Sequence, residues 1–192
     1  MIRSSLPTRS VAIVLLAFGA LSLSACGKSQ DPNAKVVVEA CLAFTQADAS
    51  KLFGTDLTPY KLSGDSSPVK VCEYTDSKGT NYALLKLQSA EQIKDAVADL
   101  NADAEQSKML FKNNIKPIVI NPADGFGPGA FYVDNTTGPD STSVQLHVIQ
   151  NGYKILVQVN NPKDFDTGEK QAAEMLKQTF AGIQSGAALQ AI

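Results

Sequence analysis

"TSVQLHVIQNGYKILVQV", residues 142–159, contains two runs of alternating apolar and polar residues joined by Asn151-Gly152. Six apolar residues recur at every second position: Val144, Leu146, Val148, Ile155, Val157 and Val159. A period of two is typical of a β-strand that has one buried face. Asn-Gly is the pair most favoured in two-residue hairpin turns. This stretch therefore predicts an antiparallel hairpin, and the rest of the fold is built around it.

The opposite face of the predicted hairpin is mixed in character. It carries Gln145, His147, Ile149, Lys154 and Leu156. Ile149 and Leu156 are apolar on a face that is otherwise polar, so we expect another element, a partner or a ligand to pack there. These five residues are the candidate binding face. A partner protein or a small apolar ligand is expected to bind there.

The remaining chain predicts further strands and helices on both sides of the hairpin. Residues 69–88 alternate around a turn, as in a second hairpin, and residues 118–120 and 130–135 are strand-like. Short connections between strands require antiparallel pairing. The predicted fold is therefore α+β, an antiparallel sheet with helices packed on one face.

Three helices are predicted from capping signals and helical periodicity. Thr45 and Asp48 have capping spacing before a short helix that ends at Gly54. Ser89 and Gln92 have capping-box spacing before a long helix. Asp164 and Asp166 are expected to begin the last helix, with Asp166 and Glu169 at capping distance. The list of apolar positions expected on the long helix is Ile93, Val97, Leu100, Ala104 and Phe111.

"GFGPGAF", residues 125–131, resembles a phosphate-binding loop only in its glycine content. Such loops lead into a helix, whose N-terminus holds the phosphate, whereas a strand-like segment follows here. Pro128 also lacks the N–H that a phosphate cradle would use. The segment predicts a tight turn, and no cofactor is expected.

The N-terminal segment has the features of an export signal. Arg3 and Arg9 precede an uncharged apolar run, residues 11–24. "LSAC", residues 23–26, resembles the lipobox of bacterial lipoprotein precursors, which implies cleavage before Cys26 and acylation of that cysteine, with a fatty acid such as palmitate on its amino group. The alternatives are a transmembrane anchor, for which the uncharged stretch is at the short end, and a plain secretory signal followed by a chance cysteine.

The lipobox resemblance implies a location and a domain plan. We expect a signal peptide over residues 1–25, a flexible tether over 26–36, an α+β domain over 37–185 and a frayed tail over 186–192. The bilayer is then a partner through acylated Cys26. Gly27 stands where an inner-membrane retention signal usually has Asp, so an outer membrane is expected if the cell has one, and otherwise the outer face of the cell membrane.

Cys41 and Cys72 remain after the signal is removed. In an oxidising compartment an even pair predicts one disulfide. A zinc site is the weaker alternative, because neither a CxxC pair nor a nearby histidine accompanies them, and a reactive thiol is another.

Three segments together carry a family resemblance: "CLAFTQADASKLFG" at 41–54, "VCEY" at 71–74 and the glycine segment at 125–131. They resemble small two-cysteine bacterial envelope lipoproteins of unknown function. The resemblance implies that Cys41 and Cys72 are the family's disulfide pair. It implies no catalytic residue, and "GPGA" here replaces the "GDxA" of those families.

Charge and motif content narrow the functional classes. Without Arg3 and Arg9, 15 basic residues face 19 acidic ones, a net charge of −4, so no nucleic-acid partner is expected. No HExxH, EF-hand or GxSxG motif occurs. A non-catalytic binding or accessory domain is the favoured function. The alternatives are a small envelope hydrolase that uses His147 with a carboxylate and a Ser or Thr, or a structural or assembly factor.

Overall fold

A computed structural model describes residues 36–138 and 141–191 of the chain. These residues form nine strands and four helices. In chain order they are β1 (Val36–Val38), α1 (Ala40–Ala43), α2 (Gln46–Phe53), β2 (Thr58–Lys61), β3 (Val69–Thr75), β4 (Asn81–Ser89), α3 (Ala96–Leu110), β5 (Val119–Pro122), β6 (Phe131–Gly138), β7 (Ser141–Gln150), β8 (Tyr153–Asn160), α4 (Phe165–Gln184) and β9 (Leu189–Ala191).

Seven of the strands form one antiparallel sheet in the order β2-β3-β4-β8-β7-β6-β5. The two hairpins, β3–β4 and β7–β8, lie side by side because β4 pairs with β8. This confirms the predicted α+β class. Within the described ranges, the sheet is packed with helices through two apolar clusters.

The β7–β8 turn has the geometry that Asn-Gly predicts. Gln150 pairs with Tyr153, and the two residues between them have positive φ, 54° at Asn151 and 81° at Gly152. Both central residues of a type I′ turn need positive φ, which Asn and Gly adopt at least cost. The turn therefore sets the register that sends alternate residues of β7 and β8 to opposite faces.

The main apolar cluster lies between one face of the sheet, here called the inner face, and α1, α2 and α4. The six alternating apolar residues of the hairpin are all on this face and at most 1% exposed. Met175 and Leu176 of α4 are fully buried against them. Full burial of such a side chain contributes about 1.5–3 kcal/mol, so this cluster supplies most of the apolar stabilisation.

Cys41 and Cys72 form the predicted disulfide, with Cα atoms 5.2 Å apart. Cys41 lies in α1 and Cys72 in β3, so the bond fastens the first helix to the sheet. Beside it, the buried Tyr74 hydroxyl donates a hydrogen bond to the Phe44 carbonyl, 2.5 Å away. Closing a loop of about 30 residues stabilises the fold by about 3.5 kcal/mol in the chain-entropy treatment.

The predicted caps of α2 are confirmed. The Thr45 hydroxyl accepts from the Asp48 N–H, Asp48 reaches back to the Thr45 N–H, and Gly54 ends the helix with φ 68°. Glycine adopts this left-handed backbone conformation without the steric cost that a Cβ imposes.

The predicted N-terminus of α3 was wrong, whereas α4 begins directly after Asp164, one of the two aspartates predicted to start it. Ser89 is still in β4, and α3 is capped by Asp95, whose carboxylate accepts from the Ala98 N–H at 3.0 Å. In α4 the cap is Asp164, which accepts from the Thr167 N–H at 2.7 Å. Asp166 lies inside the first turn, so capping spacing alone did not identify the residue whose backbone is extended.

α3 departs from the predicted one-face arrangement, which holds for α1, α2 and α4. It contacts β6 and β7 from the other side of the sheet, here called the outer face. Leu100 of α3 is fully buried there against Phe131 and Val133. The sheet therefore has helices on both sides, and α3 forms one wall of the candidate site.

The C-terminal tail was predicted to fray, which is wrong for its last strand. β9 pairs with β1 from Val36↔Ala191 to Val38↔Leu189, and Ala188 just before it is fully buried. The Glu39 N–H also donates to the Ala188 carbonyl at 2.9 Å. Val36, predicted to end the tether, is instead the first residue of β1.

The glycine segment is the predicted turn, since it connects β5 to β6 and a strand follows it. Gly125, Gly127 and Gly129 all have positive φ, and a Cβ at Gly129 would lie 3.3 Å from the Val97 Cα. Phe126 packs against the main apolar cluster. Glycine is thus required both for the reversal and for the close approach of α3.

Candidate functional site

The outer face brings the five predicted binding-face residues together. Gln145, His147 and Ile149 alternate along β7, and across the ladder His147 pairs with Leu156 and Ile149 pairs with Lys154. A difference of two positions along a strand keeps side chains on the same face. The alternation therefore placed these residues correctly relative to one another; their role in binding stays a prediction.

Part of this face is covered by α3. Leu100 and Ala104 of the helix pack with Phe131, Val133 and Ile149 in a second, smaller apolar cluster. The apolar character of Ile149 is therefore explained by a contact within the chain. Leu156 is not a member of that cluster, and the predicted anomaly narrows to this residue.

A groove of about 420 Å³ lies beside Leu156, between the C-terminal half of α3 and the outer face of β4, β7 and β8. On the helix side it is lined by Leu110 and Phe111, and on the sheet side by Leu156. Polar side chains complete the lining: Lys86, Gln88, Asp103, Gln106, Ser107, Gln145, His147 and Lys154. The groove thus has an apolar section flanked by amides, cations and one carboxylate.

His147 lies at the inner end of this lining and is only 6% exposed. Its ring stacks on Phe131, with centroids 4.5 Å apart and planes 12° from parallel. Nε2 is 3.3 Å from the Gln145 Oε1, and Nδ1 is 3.6 Å from the Asp103 Oδ2. Both ring nitrogens therefore face a protein group, and within the described ranges no hydroxyl hydrogen-bonds to either of them.

Lys154 links β8, on the sheet side of the groove, to α3 through two carboxylates. Its amine is 2.5 Å from an oxygen of Asp99 and 2.9 Å from one of Asp103. Burial opposes the charge on Lys154, but hydrogen bonds to both carboxylates raise its pKa above the ordinary value. Burial likewise opposes ionisation of Asp103, yet hydrogen bonds from His147 and Lys154 lower its pKa. At neutral pH Lys154 is therefore positively charged and Asp103 negatively charged, so the two side chains attract each other.

Side-chain hydrogen bonds continue from His147 across the outer face to β3. The Gln145 amide donates to Gln158 at 2.9 Å, Gln158 donates to Asn160 at 2.7 Å, and Asn160 donates to Asn81 at 3.0 Å. Asn81 then donates to Glu73. Each amide is oriented by the next, so the floor beside the groove is a fixed row of polar groups, since such chains polarise one another.

Lys86 differs from Lys154 in having no carboxylate partner. It lies on β4 opposite Leu156 and is exposed. In the described part of the chain it takes part in no ion pair. Its amine is therefore available to an anionic group placed beside Leu156.

Asp103 is the site residue that the sequence analysis missed. It stands one turn after Asp99 on α3, and both carboxylates face the sheet. Apolar residues alone were the basis for the predicted face of this helix. An acidic pair spaced i, i+4 beside Leu100 and Ala104, opposite a strand that carries Lys154 and His147, was the available signal.

A separate carboxylate group lies at the β6 end of the inner face. Asp134 is 6% exposed and its Oδ2 accepts from Asn121 at 3.1 Å, while its Oδ1 has no hydrogen-bond partner among the described residues. Burial first, and then the charge of Glu169, raises the pKa of Asp134 to about 6. Within the described ranges, no three His, Cys, Asp or Glu side chains are grouped so that they could hold a metal ion.

Comparisons with protein-family models, with curated proteins and with solved structures found no match. The predicted signal peptide and Cys26 lie outside the described residues, and no helix inside the described ranges is long and apolar enough to cross a membrane. The features of this chain that bear on function are therefore the groove and the sequence of the first 26 residues.

Proposed function

We propose that this chain is a lipid-anchored protein of the bacterial cell envelope, related to the small two-cysteine lipoproteins that it resembles, and that its α+β domain is a non-catalytic binding module. The "LSAC" segment after an uncharged apolar run supports the anchor. The bond between Cys41 and Cys72 supports a compartment outside the reducing cytosol, where such bonds persist.

The groove beside Leu156 is the proposed binding site, and the combination of an apolar wall with an unpaired amine at Lys86 carries the proposal. Its volume of about 420 Å³ is in the range of small-ligand sites. The ligand class that fits is a small apolar molecule bearing an anionic group. Its apolar part contacts Leu156, Leu110 and Phe111, while its anion pairs with Lys86.

Two features favour binding over hydrolysis. Both nitrogens of His147 face Gln145 and Asp103, so neither is directed at a serine or threonine that it could activate. The ring is also held flat against Phe131. His147 acts here as a wall residue that positions α3 on the sheet.

A fluorescent apolar anion, anilinonaphthalene sulfonate, tests the groove directly. The purified mature protein is expected to bind it with a blue-shifted emission. Leu156→Glu places a carboxylate in the apolar section and is expected to weaken binding by at least about tenfold, since burying that side chain contributes more than about 1.4 kcal/mol. Lys86→Gln is expected to weaken it by a smaller factor.

Leu62→Glu is the matched control, because Leu62 is also apolar and is 57% exposed on a segment away from the groove. Its binding curve is expected to match the wild type. Equal binding by the Leu156 and Leu62 variants, with melting temperatures unchanged, would show that the groove is not the site.

A further inference from the structure

The C-terminal end of α3 and the turn after it, residues 108–116, form a surface here called the lysine tip. Three large apolar side chains are exposed there: Met109 at 67%, Leu110 at 69% and Ile115 at 62%. Large apolar side chains exposed together in one short segment are a feature of interaction surfaces.

The same nine residues carry three lysines and no acidic residue, in "KMLFKNNIK". Lys108 pairs with Glu105 at 2.6 Å, an exposed pair of the kind that contributes little. In the described part of the chain, Lys112 and Lys116 belong to no ion pair. The tip is therefore locally cationic on a mature chain whose net charge is −4.

The tip is held in place by the rest of the fold. The Phe111 N–H donates to the Ser107 carbonyl at 3.0 Å, and the Asn114 N–H donates to the Phe111 carbonyl at 3.1 Å. The Asn114 side chain donates to that of Asn135 on β6. The helix end and the turn thus present their apolar side chains as a fixed surface.

We propose that the lysine tip lies on the surface of a bilayer that contains anionic lipid. Lysines bend their charged ends toward headgroups while their stems and neighbouring apolar side chains enter the acyl boundary. A protein partner fits less well, because lysine is depleted from protein interfaces.

The expected tether allows this contact. The ten residues from Cys26 to Lys35 span at most about 35 Å, enough for the domain to turn any side toward the bilayer. The contact goes beyond the proposed anchor and does not depend on it, since it uses only residues of the folded domain.

Vesicle flotation of a chain without acyl groups tests the tip. Residues 27–192, secreted behind an ordinary cleaved signal, are mixed with vesicles of phosphatidylcholine alone or of phosphatidylcholine and phosphatidylglycerol in equal amounts. Binding is expected only with phosphatidylglycerol and is expected to weaken as salt rises. The triple variant K108Q/K112Q/K116Q is expected to bind about 100-fold more weakly, because each lysine near an anionic surface contributes a factor of about five.

Two matched controls separate the tip from general charge and apolarity. K51Q/K78Q/K163Q removes the same charge from three exposed lysines elsewhere and is expected to bind as the wild type does. M109S/I115S is expected to lose at least about tenfold in binding, whereas Y60S/L62S, at similarly exposed positions on the other edge of the sheet, is not.

Equal flotation of the tip variants and their controls would overturn the proposal, as would flotation that ignores phosphatidylglycerol. Dimerisation abolished by M109S/I115S, without vesicle binding, would overturn it in favour of a second copy of the chain. None of these outcomes bears on the acyl anchor, because the tested fragment, residues 27–192, lacks Cys26.

Discussion

A single imidazole, that of His147, connects the sheet to α3 beside the groove. It stacks on Phe131 of β6, contacts Asp103 of α3 and pairs with Gln145 of its own strand. Alternation along β7 predicted which face His147 occupies. Its contacts depend on the position of α3, which no local pattern in β7 contains.

Asp134 makes a prediction at the same scale, about stability and pH. Its pKa is about 6 in the folded protein, through burial and then the charge of Glu169, against an ordinary value of 3.8. Between about pH 4 and 6 the unfolded chain has lost a proton that the folded chain keeps, so the folded state is progressively destabilised as the pH rises. Asp134→Asn is expected to remove this trend and to stabilise the protein by on the order of 1 kcal/mol at pH 7.

Urea unfolding at pH 4 and pH 7 measures the effect. Asp124→Asn, at an exposed loop position, is the control and is expected to leave both midpoints unchanged. A pH dependence that persists in the Asp134 variant would assign the trend to another group.

Among the elements, α3 is attached to the sheet by few apolar contacts. Of its fifteen residues only Leu100 and Ser107 are buried, and the ion pairs of Asp99 and Asp103 with Lys154 supply the other link. This is why the helix leaves a groove beside it and exposes its last turn. Of the five apolar positions expected on one face, Ile93 and Phe111 lie outside α3, and within the helix Val97 is exposed and Ala104 half-buried.

α4 is packed far more closely and makes the second prediction. Gly182 lies where α4 meets α1, and a Cβ there would collide with the Ala43 backbone. Gly182→Ala is therefore expected to destabilise the protein by about 1–3 kcal/mol, although alanine favours a helix over glycine by about 1 kcal/mol. Thermal unfolding measures the change.

Ala181→Gly is the reference for this substitution, because Ala181 is exposed and its replacement reports the helix propensity alone. Both variants are expected to be less stable than the wild type. Greater stability of the Gly182 variant would mean that the close approach of the two helices is not required.

For the whole molecule, the expected anchor makes the third prediction. With its own N-terminus, the mature protein is expected in the membrane fraction, with a diacylglyceryl group and an acyl chain on Cys26 detected by mass spectrometry. When residues 1–26 are replaced by a secretory signal cleaved before Gly27, the protein is expected in the soluble fraction after a high-salt wash. Several acyl chains hold a protein far more tightly than one, so the difference is expected to be nearly complete.

The salt wash removes any association through the lysine tip, which depends on charge. A wild-type protein that is soluble and carries an unmodified Cys26 would contradict the anchor and leave the groove and the tip to be judged by their own experiments.

Local patterns in the sequence determined the two hairpins, the caps of α2, the inner and outer faces of β7 and β8, and the α+β class. Each depends on near neighbours: Asn151-Gly152 sets its own turn, and alternation sorts side chains without reference to the rest of the chain. The expectation of an oxidising compartment, together with the even cysteine count, also predicted the Cys41–Cys72 pair.

Only the tertiary structure decided where distant segments meet. The pairing of β9 with β1, the position of α3 on the outer face and the approach of Asp103 to His147 involve residues whose local patterns were ambiguous or silent. α3 is the clearest case, because its apolar stripe is too weak to specify a face. Its position is decided by the packing of Leu100 against Phe131 and Val133 of β6. It is also decided by the ion pairs of Asp99 and Asp103 with Lys154, which is more than fifty residues away from each of them in the chain.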